Sequence, residues 1–169
     1  LFGWDGTQEK SITVNSGDTV YVDGFSLGSY DVVNGFKIQN PSSPSSSSCV
    51  SIASNAVYDY ITNNTMYACG GSAMISEPNN SPNTAHIFIQ GNTLSYGCST
   101  SSAPNVCTGM QINGSYELIE NNDISHVSDA LHFYGSHNVV RKNTFHDASS
   151  SDCGSNSGNC HIDFIESEP

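Results

Sequence analysis

The sequence predicts an all-β solenoid of stacked parallel strands, on three observations. A seven-residue motif recurs four times at irregular spacing, each copy is followed by a second short alternating segment, and no stretch has room for a long amphipathic helix. The motif is two apolar residues, two polar or small ones, Asn, a polar residue and an apolar one. Its copies are residues 60–66, 88–94, 118–124 and 139–145. A fifth segment, residues 21–27, carries Phe25 where the others carry Asn. Successive motif asparagines lie 28, 30 and 21 residues apart. A constant motif at variable spacing means a fixed strand-turn unit with loops of variable length between copies.

The second segments are residues 35–38, 73–75, 109–112, 130–133 and 161–164. Their two-residue alternation, broken by Gly, Asn and Ser, fits strands of three to five residues. Such strands bury a core by coiling and stacking at about 4.8 Å per turn. About five turns are expected, a stack about 24 Å tall. The recurring Asn suits a corner, because it tolerates the left-handed region and its amide bonds neighbouring backbone. Asn64, Asn92, Asn122 and Asn143 are therefore expected to form an amide ladder inside one corner.

With these Asn-x-Ile repeats, and with Asp129-Ala130-Leu131-His132-Phe133-Tyr134-Gly135-Ser136 and His161-Ile162-Asp163-Phe164-Ile165, the chain resembles right-handed parallel β-helix repeat proteins of the pectate-lyase-like superfamily. The resemblance covers about residues 18–166. It implies secretion and work on polysaccharides, as lyases, glycoside hydrolases, epimerases or phage tailspikes. No diagnostic catalytic signature of any one of these is present. Residues 1–17 are expected to be a lead-in or cap, with Leu1, Phe2 and Trp4 folding over one end, and 18–169 the coil.

Composition narrows the partners. Four Lys and Arg against 16 Asp and Glu leave a net charge of −12. Charged residues make up 12% of the chain, where about 25% is usual. So few cations exclude phosphate-backbone binding and attraction to anionic membranes. No apolar run approaches the ~18 residues of a transmembrane helix. The six cysteines form no CxxC pair, and no His stands at zinc-finger spacing, so no metal site or cofactor is expected. They suit disulfides in an oxidising compartment. A sequence-local pairing is expected, Cys98 with Cys107 and Cys153 with Cys160, which leaves Cys49 with Cys69. These close Ser/Gly/Asn-rich loops at 97–107 and 148–159. Sequons at Asn63, Asn79 and Asn113 point the same way, to an extracellular glycoprotein. Insertions at 40–49 and 76–84 follow second strands, whereas those at 97–107 and 148–159 follow first strands, so two corners are expected to carry loops.

Aligning the second segments puts Lys37, Met74, Gln111, His132 and Asp163 in one outward column. Gln111, His132 and Asp163 are the candidate catalytic residues: a His beside a carboxylate can act as an oriented general base, and a Gln can bind a sugar hydroxyl. Cation poverty counts against polyuronate chemistry, and no dense Asp cluster offers calcium instead. Strict alternation would aim Asp163 and Glu166 in different directions, against the carboxyl pair of a hydrolase. His126, His132, His146 and His161 lie at unequal offsets and specify no metal ligand set. Tyr58, Tyr67, Tyr96, Tyr116 and Tyr134 are expected to pack on the surface, with sugar stacking as the other reading.

The favoured function is an extracellular structural or self-assembling subunit. Its partners are copies of itself stacked end to end into a filament, because the sequence after the last strand, 166–169, offers no amphipathic cap. The alternatives are a fragment of a longer carbohydrate-active enzyme, a hydrolase or lyase, and a glycan-binding module.

Overall fold

A computed structural model describes residues 9–39, 48–69, 73–79, 83–97, 108–149, 152 and 162–167. Each turn of the coil contributes three strands. The first two turns are β1 (Lys10–Thr13), β2 (Tyr21–Val22) and β3 (Phe25–Leu27), then β4 (Asp31–Asn34), β5 (Lys37–Gln39) and β6 (Val50–Ile52). The next two are β7 (Tyr60–Thr62), β8 (Thr65–Tyr67) and β9 (Ala73–Ser76), then β10 (Phe88–Gln90), β11 (Thr93–Ser95) and β12 (Thr108–Ile112). The last two are β13 (Leu118–Glu120), β14 (Asp123–Ser125) and β15 (Asp129–Phe133), then β16 (Val139–Arg141), β17 (Thr144–His146) and β18 (Asp163–Ser167). The first, second and third strands of successive turns form sheets A, B and C, each parallel and six-stranded. This is a parallel β-helix, as the repeat predicts, with six rungs among the described residues rather than about five.

The sixth rung comes from two places. β1 pairs in register with β4, so the coil already includes residues 10–13 and begins before residue 18. The copy on the second rung is residues 32–38, where Phe36 occupies the Asn position and its amide donates to Asn64 Oδ1 at 2.9 Å. Residues 21–27 instead span the corner between sheets B and C. The motif itself holds two strands, not one, because its Asn turns the chain from sheet A to sheet B.

Inward residues close a single core along the axis. Val33, Ile61, Ile89 and Ile119 face in from sheet A, and Ile38, Met66, Leu94 and Ile124 from sheet B. The corner between these sheets is made by left-handed residues: Gly35, Asn63, Gly91, Asn121 and Lys142 all have φ between 54° and 85°. Beside them Asn64 Nδ2 donates to Asn92 Oδ1 (3.1 Å), Asn92 Nδ2 to Asn122 Oδ1 (3.0 Å) and Asn122 Nδ2 to Asn143 Oδ1 (3.0 Å). The same oxygens accept the backbone N–H of the preceding rung's Asn at 2.9 Å. Without these amides the tight corner would leave its backbone donors buried and unmatched.

Length variation concentrates at one corner. The segments 40–49, 97–107 and 147–162 all connect sheet B to sheet C, and only 77–84 lies between sheets C and A. Two corners carry insertions, but 40–49 shares its corner with 97–107 and 147–162 rather than with 77–84, because the expectation assumed two strands per turn. Cys49 and Cys69 form a disulfide across the B-to-C corner. Cys98, Cys107, Cys153 and Cys160, and with them the loop disulfides, lie outside the described residues. No helix among the described residues is long and apolar enough to cross a membrane.

Candidate functional site

Sheet C presents a row of polar side chains on its outer surface. Its outward column in register is Ser26, Ser51, Ser76, Gln111, His132 and Glu166. Two predicted residues, Gln111 and His132, are thus direct neighbours on adjacent rungs. The rest of the expected column does not hold. Lys37 lies in β5 on sheet B, and Met74 is fully buried. Asp163 pairs with Asp129, while Glu166 is the register partner of His132.

Asp163 and Glu166 nevertheless meet. The carboxylates of Asp129, Asp163 and Glu166 each bring an oxygen within 4.8 Å of the other two. The expectation that Asp163 and Glu166 diverge, and that no acidic cluster exists, is overturned. Strict alternation fails because the core takes two successive residues from these strands, Met74 with Ile75 and Ala130 with Leu131. Positions three apart then emerge on one side, where alternation would separate them. Asp129 is buried, whereas Asp163 and Glu166 are half-buried. His132 Nδ1 lies 3.9 Å from Glu166 Oε2, and its ring packs against Tyr134 at 4.7 Å between centroids. Gln111 Nε2 donates to Asn79 Oδ1 at 2.6 Å. The set offers two accessible carboxyls, a supported imidazole and a primary amide on one face. Its three carboxylates are also where a hard cation would find oxygen ligands. His161 lies outside the described residues.

A family model described as "protein of unknown function (DUF1565)" matches residues 6–166. The chain belongs to the DUF1565 family. Comparisons with curated proteins and with solved structures found no match.

Two further arrangements in this DUF1565 chain were not anticipated. One is a row of buried acids at the corner between sheets C and A. Asp31, Asp59, Glu117 and Asn138 each stand at the entry to a sheet A strand, and Asp59 and Glu117 are fully buried. Asp59 Oδ1 accepts the Asp31 amide at 2.9 Å. Burial pushes the Asp59 carboxyl up to about 7, against that hydrogen bond. Glu77 is buried alongside, accepting the amides of Asn113 (2.6 Å) and Gly114 (2.7 Å) on Oε2. Burial, then the Glu77 charge and a hydrogen bond to Glu77, hold Glu117 far above the ordinary carboxyl range. Among the described residues no backbone or other side-chain donor reaches Glu77 Oε1 or the Glu117 carboxyl oxygens, so nothing there offsets the cost of a second buried charge. Gly114 is what admits them: a Cβ there would meet the Glu117 carboxyl and lie 2.6 Å from the Thr84 carbonyl oxygen.

The second is a column of rings outside that same corner. Tyr30, Tyr58, His86, Tyr116 and His137 all have φ near 60° and stack in sequence, with centroids 5.6, 4.8, 5.5 and 4.7 Å apart. Each lies six residues before its repeat Asn, or before Phe36, a regularity readable in the sequence. Tyr96 likewise lies on His126 at 4.2 Å. The faces of Tyr58, Tyr96 and Tyr116 are thus turned to neighbouring rings rather than offered to a sugar. His146 bonds Asp147 (2.7 Å) and Asp123 (2.8 Å), which raises its pKa, the Asp147 bond contributing most. Of the sequon asparagines, Asn63 and Asn79 are exposed, whereas Asn113 is buried and donates to the Glu77 and Pro78 carbonyls.

Proposed function

We propose that this is a secreted β-helix domain that engages a glycan across the outer face of sheet C. Asp163 and Glu166 act there as the carboxyl pair, and His132 and Gln111 hold sugar hydroxyls. The observation that carries this reading is the convergence of Asp163 and Glu166 beside the Gln111–His132 column. Two carboxyls on one face are what glycosidic hydrolysis requires, one to protonate the leaving oxygen and one to attack or to activate water. The corner through which sheet B passes to sheet C, where the chain's longest connections fall, borders the same face. The Cys49–Cys69 disulfide fits an oxidising compartment, and the exposed Asn63 and Asn79 are the sites where glycosylation is expected. Titration against a panel of soluble glycans, with reducing ends measured in parallel, tests the site. Glu166→Gln and Asp163→Asn are expected to lower turnover at least about a hundredfold, the lower range for lost acid–base catalysis. A domain that binds without turnover is a glycan-binding module, and unchanged turnover in both variants means the site lies elsewhere.

Exposed apolar side chains on the terminal rungs favour a second role, end-to-end stacking of copies. Phe164 and Ile165 are 48% and 50% exposed on the last rung, and Ile12 and Tyr21 are 53% and 58% exposed on the first. A head-to-tail contact of unlike ends does not close, so it propagates into a filament. Sedimentation velocity over a concentration series should show growing species, which Ile165→Lys abolishes. A single monomer boundary at every concentration removes this role.

A further inference from the structure

We propose that the pocket at the start of the aromatic column binds a small quaternary ammonium cation. The pocket has a volume of about 270 Å³ and is lined by Glu9, Tyr30, Tyr58 and Tyr60. Stacking order sets Tyr30 apart from the other rings of its column. Tyr30 is the first ring of its column and lies on Tyr58 of the next rung. Tyr60 begins a separate stack, lying on Phe88 at 4.6 Å and 7°. Among the described residues no further ring covers the opposite face of Tyr30. Tyr58 has both faces occupied and Tyr60 has Val32 as its register partner on the preceding rung, whereas Tyr30, which leads its column, has a ring on one face alone among the described residues. An aromatic face carries the negative lobe of the ring quadrupole and attracts a cation placed over it.

Charge completes the argument. β1 pairs Lys10 with Asp31, and the Lys10 amide donates to the Tyr30 carbonyl, so Glu9 sits one rung before Tyr30 at the same corner. Its carboxylate therefore belongs to the pocket rim. The neighbouring Lys10 ammonium is engaged by Asp31 at 2.6 Å and does not oppose an incoming cation. The chain's charge of −12 adds long-range attraction.

The chemistry selects an alkylated ammonium. A primary ammonium carries three N–H donors, each needing an acceptor once it leaves water. The lining supplies one carboxylate and three phenols, chiefly ring carbon. A quaternary nitrogen has no N–H to satisfy, and its methyl groups lie against the ring faces. The volume falls just below the ~300–1,000 Å³ usual for small-molecule sites, which suits a headgroup. This site is separate from sheet C and does not depend on the glycan reading.

Isothermal titration of the whole chain with choline tests the proposal, with its uncharged isostere 3,3-dimethylbutan-1-ol and with ethanolamine as comparators. Choline is expected to bind saturably, and each comparator at least about tenfold more weakly. Tyr60→Ala and Glu9→Gln should each weaken choline, while Tyr60→Phe, which keeps the ring, retains it. Glu9 is exposed, so Glu9→Gln carries the test if the ring variant fails to fold. The proposal is overturned by absent choline saturation, by equal binding of choline and its isostere, or by unchanged affinity in both Tyr60→Ala and Glu9→Gln.

Discussion

Raising the pH from about 5 to about 8 is expected to destabilise this protein, and Glu117→Gln to remove a large part of that loss. In the folded chain Glu117 keeps its proton, because burial and the adjacent Glu77 carboxylate penalise ionisation. In the unfolded chain it titrates near its ordinary value of 4.5. The folded state then binds one more proton than the unfolded state, so stability declines as pH rises above 4.5 toward the raised value. One proton corresponds to roughly 1.4 kcal/mol per pH unit. Asp59 adds to the slope between 3.8 and about 7 and stops contributing above that. Gln mimics the protonated acid, donates to Glu77 and cannot ionise. Urea unfolding at several pH values should therefore give Glu117→Gln a flatter profile and a stability gain of about 2 kcal/mol or more near pH 8. A slope identical to that of the parent, or a loss of stability at every pH, would show that Glu117 carries no shifted proton.

The second large effect is expected at Asn92. Its side chain accepts from Asn64 N (2.9 Å) and donates to the Ile61 carbonyl (2.8 Å) and to Asn122 Oδ1 (3.0 Å). Asn92→Ala leaves the Asn64 N–H and the Ile61 carbonyl buried without those partners, each costing about 1–3 kcal/mol. With the lost amide-to-amide bonds, a loss of about 3–6 kcal/mol is expected, much of the ~5–15 kcal/mol that a domain possesses. Asn143→Ala is the internal comparison, because Asn143 is half-buried on the last rung and water can replace its bonds. Equal midpoints for the two variants would mean that rung position does not govern the cost.

How much of this was legible in the chain depends on whether a feature repeats and whether it obeys alternation. Asn64, Asn92, Asn122 and Asn143 stand out because their apolar neighbours are in phase, and that phase gives the parallel strands. The second-rung copy hides because Phe36 replaces the amide, although the backbone turns there in the same way. The turn count fails for a related reason: a corner two residues wide reads as the middle of one strand. Gln111 and His132 emerge from alternation because they lie beyond the paired inward residues, whereas Asp163 lies before them. The acids at 59, 77 and 117 escape because a carboxylate is assumed to face water. The signal that would have exposed Asp59 and Glu117 is positional, since both stand at the entry to the sheet A strand that Asp31 and Asn138 also occupy.

The amide row between sheets A and B has a direction. Each Asn oxygen satisfies the backbone of the rung before it, and each Asn amide reaches back to a carbonyl of that earlier rung, as Asn92 does to Ile61. From the second rung to the fifth, every turn is therefore completed by its successor. Removing the last rung uncovers the Asn122 amide, and removing the next uncovers that of Asn92, so disassembly from this end proceeds one turn at a time. From the other end, loss of β1 strips no Asn oxygen from the corner row. The coil thus behaves as a zip with a single slider, and force applied at its two ends should meet unequal resistance.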